Sequence, residues 1–258
     1  MNLVTDRARV LRTYALGETS LIVQMLCSKE GLRRGVAKGA RDPKSKFRGL
    51  LEPGTPLEVV LYLKGKEGLH LIKEISLSGA IPPTSARLES LALRLAGLEL
   101  AGAGSNNDEP VDGLFDLLED YLSIFEDKGE DGFMPFFAYE ASILELNGIL
   151  PSLEDCALSG KSLAGRDIRF LPGEGAFALA DLDNEGMDLA RVDRDCLVSL
   201  FQNAPSALRG QQMDAELRRR MGRILHLILS RHLPGYRLPR SLEMLRPAGS
   251  KAGREPKK

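Results

Sequence analysis

The chain has 258 residues, 43% of them hydrophobic, which supports a packed core and excludes wholesale disorder. Its formal net charge of −1 hides an asymmetry: 14 Lys/Arg against 8 Asp/Glu in residues 1–80, 8 against 24 in 81–204, and 13 against 4 in 205–258. Basic ends around an acidic middle are a statement about electrostatic fields and partners, and three widely spaced cysteines (Cys27, Cys156, Cys196) exclude a disulfide scaffold and suit a reducing cytoplasm.

The first nine residues contain no apolar h-region, so no signal peptide is expected. No run approaches the about 18 apolar residues of a membrane span. Trp is absent and aromatics make up only 5%, so broad stacking platforms for single strands are poorly supplied.

Residues 8–75 read as five short strands separated by turns: Ala8–Tyr14, Ser20–Cys27, Leu32–Lys38, Leu57–Leu63 and Leu69–Leu77. A five-stranded Greek-key barrel of the oligonucleotide-binding (OB) type is the economical solution, and a split sandwich also satisfies the pattern. Within this region, residues 31–49 carry seven cations, Arg33, Arg34, Lys38, Arg41, Lys44, Lys46 and Arg48, opposed only by Asp42 and interrupted by Gly31, Gly35, Gly39 and Gly49. A strand feeding a turning basic loop fits this composition better than a helix face. It points to nucleic acid held through phosphate, without sequence readout, against the plainer reading of a solubilising loop. Phe47 reads as a plug of the barrel in preference to a base-stacking ring.

Ile81-Pro-Pro-Thr84 breaks the sheet. Amphipathic helices are expected over Ser85–Ala101, Val111–Glu126 and Phe133–Asn147, the last ended by Gly148 and Pro151. The apolar positions of Leu114–Phe125, with Tyr139, read as core. Residues 151–190 hold five glycines and little periodicity, an irregular insert. Helices resume at Val192–Gln202 and Met213–His232, and residues 246–258 read as a disordered tail. On the last helix the run Arg218-Arg219-Arg220 with Arg223 forms a second basic candidate, Arg219 and Arg223 lying one turn apart on the same side, either as a DNA track or as partners of the acidic middle.

Several motifs in order carry a family resemblance: Leu16-Gly-Glu18, the Val-Ala-Lys-Gly-Ala-Arg run ending at Arg41, Lys44-Ser-Lys-Phe47, Leu51-Glu-Pro53, Leu69-His-Leu-Ile-Lys-Glu74 and Phe137-Ala-Tyr-Glu140. Together they resemble the bacterial recombination mediator RecO family over nearly the whole chain, to about residue 240. The resemblance implies an α+β protein: an N-terminal OB barrel (1–80), a helical body in two parts (81–150 and 191–245), and a small zinc-finger-like insert (151–190). It implies a non-enzymatic DNA repair and recombination mediator, cytoplasmic and associated with the nucleoid. Such a protein binds single- and double-stranded DNA and anneals complementary strands. With RecR, it helps load RecA onto DNA coated by the single-stranded DNA-binding protein (SSB), engaging the C-terminal tail of SSB. The rival reading is an OB-fold RNA-binding or translation-associated protein. For the SSB tail, which needs an apolar slot beside a cation, Arg94 is the candidate residue.

The family's finger uses two C-x-x-C pairs. Here Cys156-Ala-Leu-Ser159 keeps one cysteine, and Ala178 and Asp181 stand at the second pair's places. Structural zinc wants four Cys or His ligands, so a metal-free relic is expected, packed around Leu158, Leu163, Ile168, Phe170 and Phe177. No catalytic set emerges: His70, His226 and His232 are scattered. The acids at 181–188 lack the glycine and glutamate spacing of a calcium loop, and Gly173-Glu-Gly-Ala is no phosphate-binding fingerprint.

Overall fold

The computed structural model describes residues 2–65, 68–80, 87–105, 109–126, 132–182 and 185–245. The expected tail and the Pro82-Pro83 break lie outside them. Five strands, β1 (Asn2–Leu16), β2 (Ser20–Cys27), β3 (Gly31–Ala37), β4 (Pro56–Leu63) and β5 (Leu69–Leu77), close into a barrel in the order β1-β2-β3-β5-β4. Closure depends on β1, whose N-terminal half pairs with β4 and C-terminal half with β2. A bulge between Val10 and Arg12 bends it between the two partners. Strand alternation sends Ala8, Val10, Val23, Met25, Val59 and Ile72 inward as one core. Because β3 pairs with β5 and not β4, the 38–55 connection must cross an open end of the barrel. Phe47 and Leu51, 5% and 6% exposed, seal that end, so Phe47 is the plug.

The helical body comprises α1 (Leu88–Ala103), α2 (Leu114–Ser123), α3 (Phe133–Leu146), α4 (Arg191–Gln202) and α5 (Ala215–His232). The helix expected from Val111 starts at Leu114, because Gly113 takes a left-handed φ of 79° that a helix cannot continue through. The core expectation for α2 holds: Leu114, Leu118, Tyr121 and Tyr139 are buried. Tyr121 and Tyr139 stack at 4.4 Å, and their hydroxyls donate to the carbonyls of Leu93 and Gly97 on α1. The Asp214 carboxylate caps α5, accepting from the backbone of Glu216 and Leu217.

Leu11, Leu26 and Leu32 on the outside of the barrel enter the helical core. Buried Arg9 adds a tie, donating to both Glu119 carboxylate oxygens on α2 (2.5 and 2.8 Å) and to the Gly54 carbonyl. The 151–190 insert is more regular than its glycines suggest. It holds a three-stranded sheet of β6 (Ile168–Leu171), β7 (Ala176–Leu179) and β8 (Met187–Asp188), ordered β7-β6-β8. Leu163, Ile168, Phe170 and Phe177 are buried in the helical core, whereas Leu158 is 49% exposed and takes no part in that packing.

Candidate nucleic-acid interface

The loop after β3 is a chain of short turns. The amide of Arg41 donates to the Thr19 carbonyl, that of Asp42 to Gly39, that of Ser45 to Asp42, and that of Arg48 to Ser45. The Asp42 carboxylate, the one acid of the run, accepts from the Lys44 amide at 2.8 Å. It therefore serves as a turn residue. Gly39 takes φ 67°, which places the first turn where side-chain-bearing residues are strained. With Phe47 seated in the barrel, the cations around it are left outside: Lys38, Arg41, Lys44, Lys46 and Arg48 are all exposed, as is Arg34 on the outer face of β3. Three of them are steadied by backbone carbonyls: Arg41 by Gly17 (3.0 Å), Lys46 by Lys73 (3.0 Å) and Arg48 by Pro43 (3.3 Å). Each keeps donors free for an anion.

Arg33 does not join them. It pairs with Met25 across the β2–β3 ladder, and so shares the inward parity of Gly31 and Gly35. Its side chain is only 11% exposed and bonds to Glu30 (3.3 Å) and the Leu32 carbonyl (2.9 Å). There it helps burial hold His70 below its usual pKa. Arg12 was missed, being isolated in sequence from the basic run. It is exposed on β1, donates to Gln24 at 2.8 Å and lies 5.3 Å from the ring of Tyr14.

On α5 the arginine run divides. Arg218 lies 4.5 Å from the Phe133 ring centre and 3.9 Å from Glu89, and Arg220 pairs with Asp193 (2.7 Å) and Glu216 (2.8 Å). These two hold the helical body together. Arg219 and Arg223 are exposed, and no carboxylate among the described residues lies within ion-pair distance of either.

Beside them, α3, α5 and the C-terminal 3-10 turn (Arg240–Leu245) enclose a slot of about 420 Å³ lined by Phe133, Phe136, Phe137, Leu238, Leu242 and Arg219. Arg94 is not in this lining; it sits half-buried on α1, where burial lowers its pKa.

The match to known proteins covers most of the chain. A family model described as Recombination protein O N terminal matches residues 1–80, and one described as Recombination protein O C terminal matches 86–242. The chain belongs to the recombination protein O (RecO) family. Among relatives, the DNA repair protein RecO of Chloroherpeton thalassium is 34% identical over 179 residues, 67% of this chain and 69% of that protein. That of Rubrobacter xylanophilus is 29% identical over 258 residues, 98% of this chain and all of that protein. The RecO of Laribacter hongkongensis is 30% identical over 210 residues, 74% and 78% of the two chains. Membership places the chain in DNA repair and recombination.

In this RecO-family chain the insert holds one cysteine, Cys156, and its side chain is buried. Burial raises the Cys156 thiol, but hydrogen bonds from the Ser159 side chain and the backbone of Leu179, Leu158 and Ser159 outweigh it and bring it to about 7. Ala178 is fully buried, and Asp181 is turned outward to Arg166 at 3.7 Å. Among the described residues no three His, Cys, Asp or Glu side chains cluster in a way that could hold a metal. Nor is any helix among them long and apolar enough to cross a membrane.

Proposed function

We propose that the chain is a non-enzymatic mediator that binds single- and double-stranded DNA, anneals complementary strands and, with RecR, helps load RecA onto SSB-coated DNA in the cytoplasm at the nucleoid. The observation that carries this reading is the anchored loop. Phe47 and Leu51 fix the connection to the barrel while Lys38, Arg41, Lys44, Lys46 and Arg48 face outward beside Arg34. Fixed cations on a rigid element bind a polyanion by releasing its counterions, without regard to sequence. Arg33, tied to Glu30 in the barrel, belongs to the fold and not to this set.

Annealing requires two phosphate backbones to approach, and a second basic surface lowers that repulsion. Arg219 and Arg223 supply it. Reversing both to Glu is expected to slow annealing of complementary oligonucleotides by about ten-fold or more, with the loop-dependent binding of one strand retained; unchanged annealing removes these residues from the mechanism. The slot beside them has aromatic and leucine walls and two acids, Glu89 and Glu140, in its lining; Arg218 is engaged by Glu89, which leaves Arg219 as the cation for an acidic tail with an apolar end, as SSB carries. The insert carries no zinc in this reading. Metal analysis of the purified protein is expected to give far less than one zinc per chain, and a value near one refutes it.

A further inference from the structure

The outside of the barrel carries a row of apolar side chains that belongs to neither core. Tyr62 on β4 pairs with Leu71 on β5, Leu71 with Val36 on β3, Val36 with Ile22 on β2, and Ile22 with Tyr14 on β1. Their chain neighbours Leu61, Ile72 and Val23 point into the barrel, so alternation puts the row outside. Among the described residues, none of the five packs into the barrel core or the helical core. Tyr14 is 42% exposed and the other four are half-buried. At roughly 4.8 Å between strands, the row follows the curved surface for about 19 Å.

Cations flank it on both sides. Two residues back along the strands, Arg12 on β1 and Arg34 on β3 share one side, joined across the ladder through Gln24. Two residues on, Lys38 past the end of β3 and Lys73 on β5 share the other. The aromatic ends are each met by a cation, Arg12 at 5.3 Å from Tyr14 and Lys73 at 5.8 Å from Tyr62. An apolar strip between two cationic borders complements a chain of flat apolar units on an anionic backbone. That chain is a single nucleic-acid strand; in a duplex the bases are already stacked and cannot reach the strip.

We propose that this row is a base-stacking platform with Tyr14 as its principal contact, and that it gives the barrel a preference for single strands over duplex. The proposal rests on the DNA-binding reading above, which by itself assigns only phosphate contacts. The test is fluorescence anisotropy with a labelled single-stranded oligonucleotide and its duplex, on wild type, Tyr14→Ala and Tyr14→Phe, with thermal unfolding as the folding control. Tyr14→Ala is expected to weaken single-strand binding about ten-fold, leave duplex binding and the salt dependence unchanged, and be rescued by Tyr14→Phe.

The chain has no Trp, so tyrosine emission gives a second readout. Saturating oligonucleotide should quench it in wild type and quench it less in Tyr14→Phe. Equal losses on single strand and duplex, or no loss on either, overturn the platform while leaving the phosphate contacts standing. Absence of DNA binding by wild type overturns both. Normal DNA binding by Tyr14→Ala with loss of binding to another protein makes the row a protein-docking face and also overturns the proposal.

Discussion

Replacing Lys38, Arg41, Lys44, Lys46 and Arg48 together with Ala is expected to weaken single-strand binding by roughly 3,000-fold at 0.1 M salt. The size follows from counterion release, where each phosphate contact on a single strand contributes about 0.7 to the slope of log K against log salt. Taking away all five phosphate partners at 0.1 M therefore removes about 3.5 decades of affinity, and the slope itself should fall by about the same 3.5. The fold should survive, because the residues that seat the loop, Phe47 and Leu51, are untouched and the five replaced side chains are exposed. A matched variant, Arg33→Ala, should show the reverse pattern. It leaves Glu30 without its partner at one end of the barrel and lowers stability, with little effect on the salt slope. Anisotropy titrations at four salt concentrations, beside thermal unfolding of each variant, separate the two behaviours.

The second large effect concerns Glu140 on α3. It is 3% exposed, and its Oε2 has no hydrogen-bond partner among the described residues. Burial lifts its carboxyl well above the usual range. The folded chain therefore keeps Glu140 protonated at pH values where the unfolded chain releases the proton. Stability from this group is complete below the ordinary carboxyl value of 4.5 and is lost as pH rises toward the raised one, at about 1.4 kcal/mol per pH unit. Glu140→Gln keeps the shape without the ionisation. Denaturant unfolding at pH 5, 6, 7 and 8 should show the variant gaining stability relative to wild type as pH rises above the ordinary carboxyl value, the gap levelling off once pH passes the raised one. Parallel stability curves would mean that Glu140 ionises in the folded state after all.

Much of the barrel could be read locally, because Ser20–Cys27 and Leu57–Leu63 are short apolar runs rich in Leu, Ile and Val and turns separate the strands. The N-terminal half of β1 could not. Asp6, Arg7 and Arg9 interrupt its pattern, and two of them are buried by distant partners. Asp6 accepts from Ser28 and from the amides of Lys29 and Glu30, while Arg9 is held by Glu119, 110 residues away. The basic run was legible as a charge signal, yet counting charge alone overstated it. Period-two parity with Gly31 and Gly35 already places Arg33 on the inner side. Gly35 stands there because an added Cβ would lie 2.6 Å from Ile72.

In the insert, strands of four residues between glycines give no periodicity long enough to detect. Its order comes from Phe170 and Phe177 packing against one another and, through Phe177, against Phe201 on α4. The arginine run on α5 shows the same limit. Sequence places Arg219 and Arg223 on one side, but only the folded partners Asp193 and Glu89 reveal that Arg220 and Arg218 are already engaged.

The central claim is that outward cations on an anchored barrel loop hold nucleic acid through phosphate. Its most direct test is the salt dependence of wild-type binding to a single-stranded DNA oligonucleotide of mixed sequence. Six exposed cations, Arg34 included, predict a slope of log K against log salt of about −4, the same for unrelated sequences. Absence of binding at low salt, a slope near zero, or a strong preference for a structured RNA would contradict it.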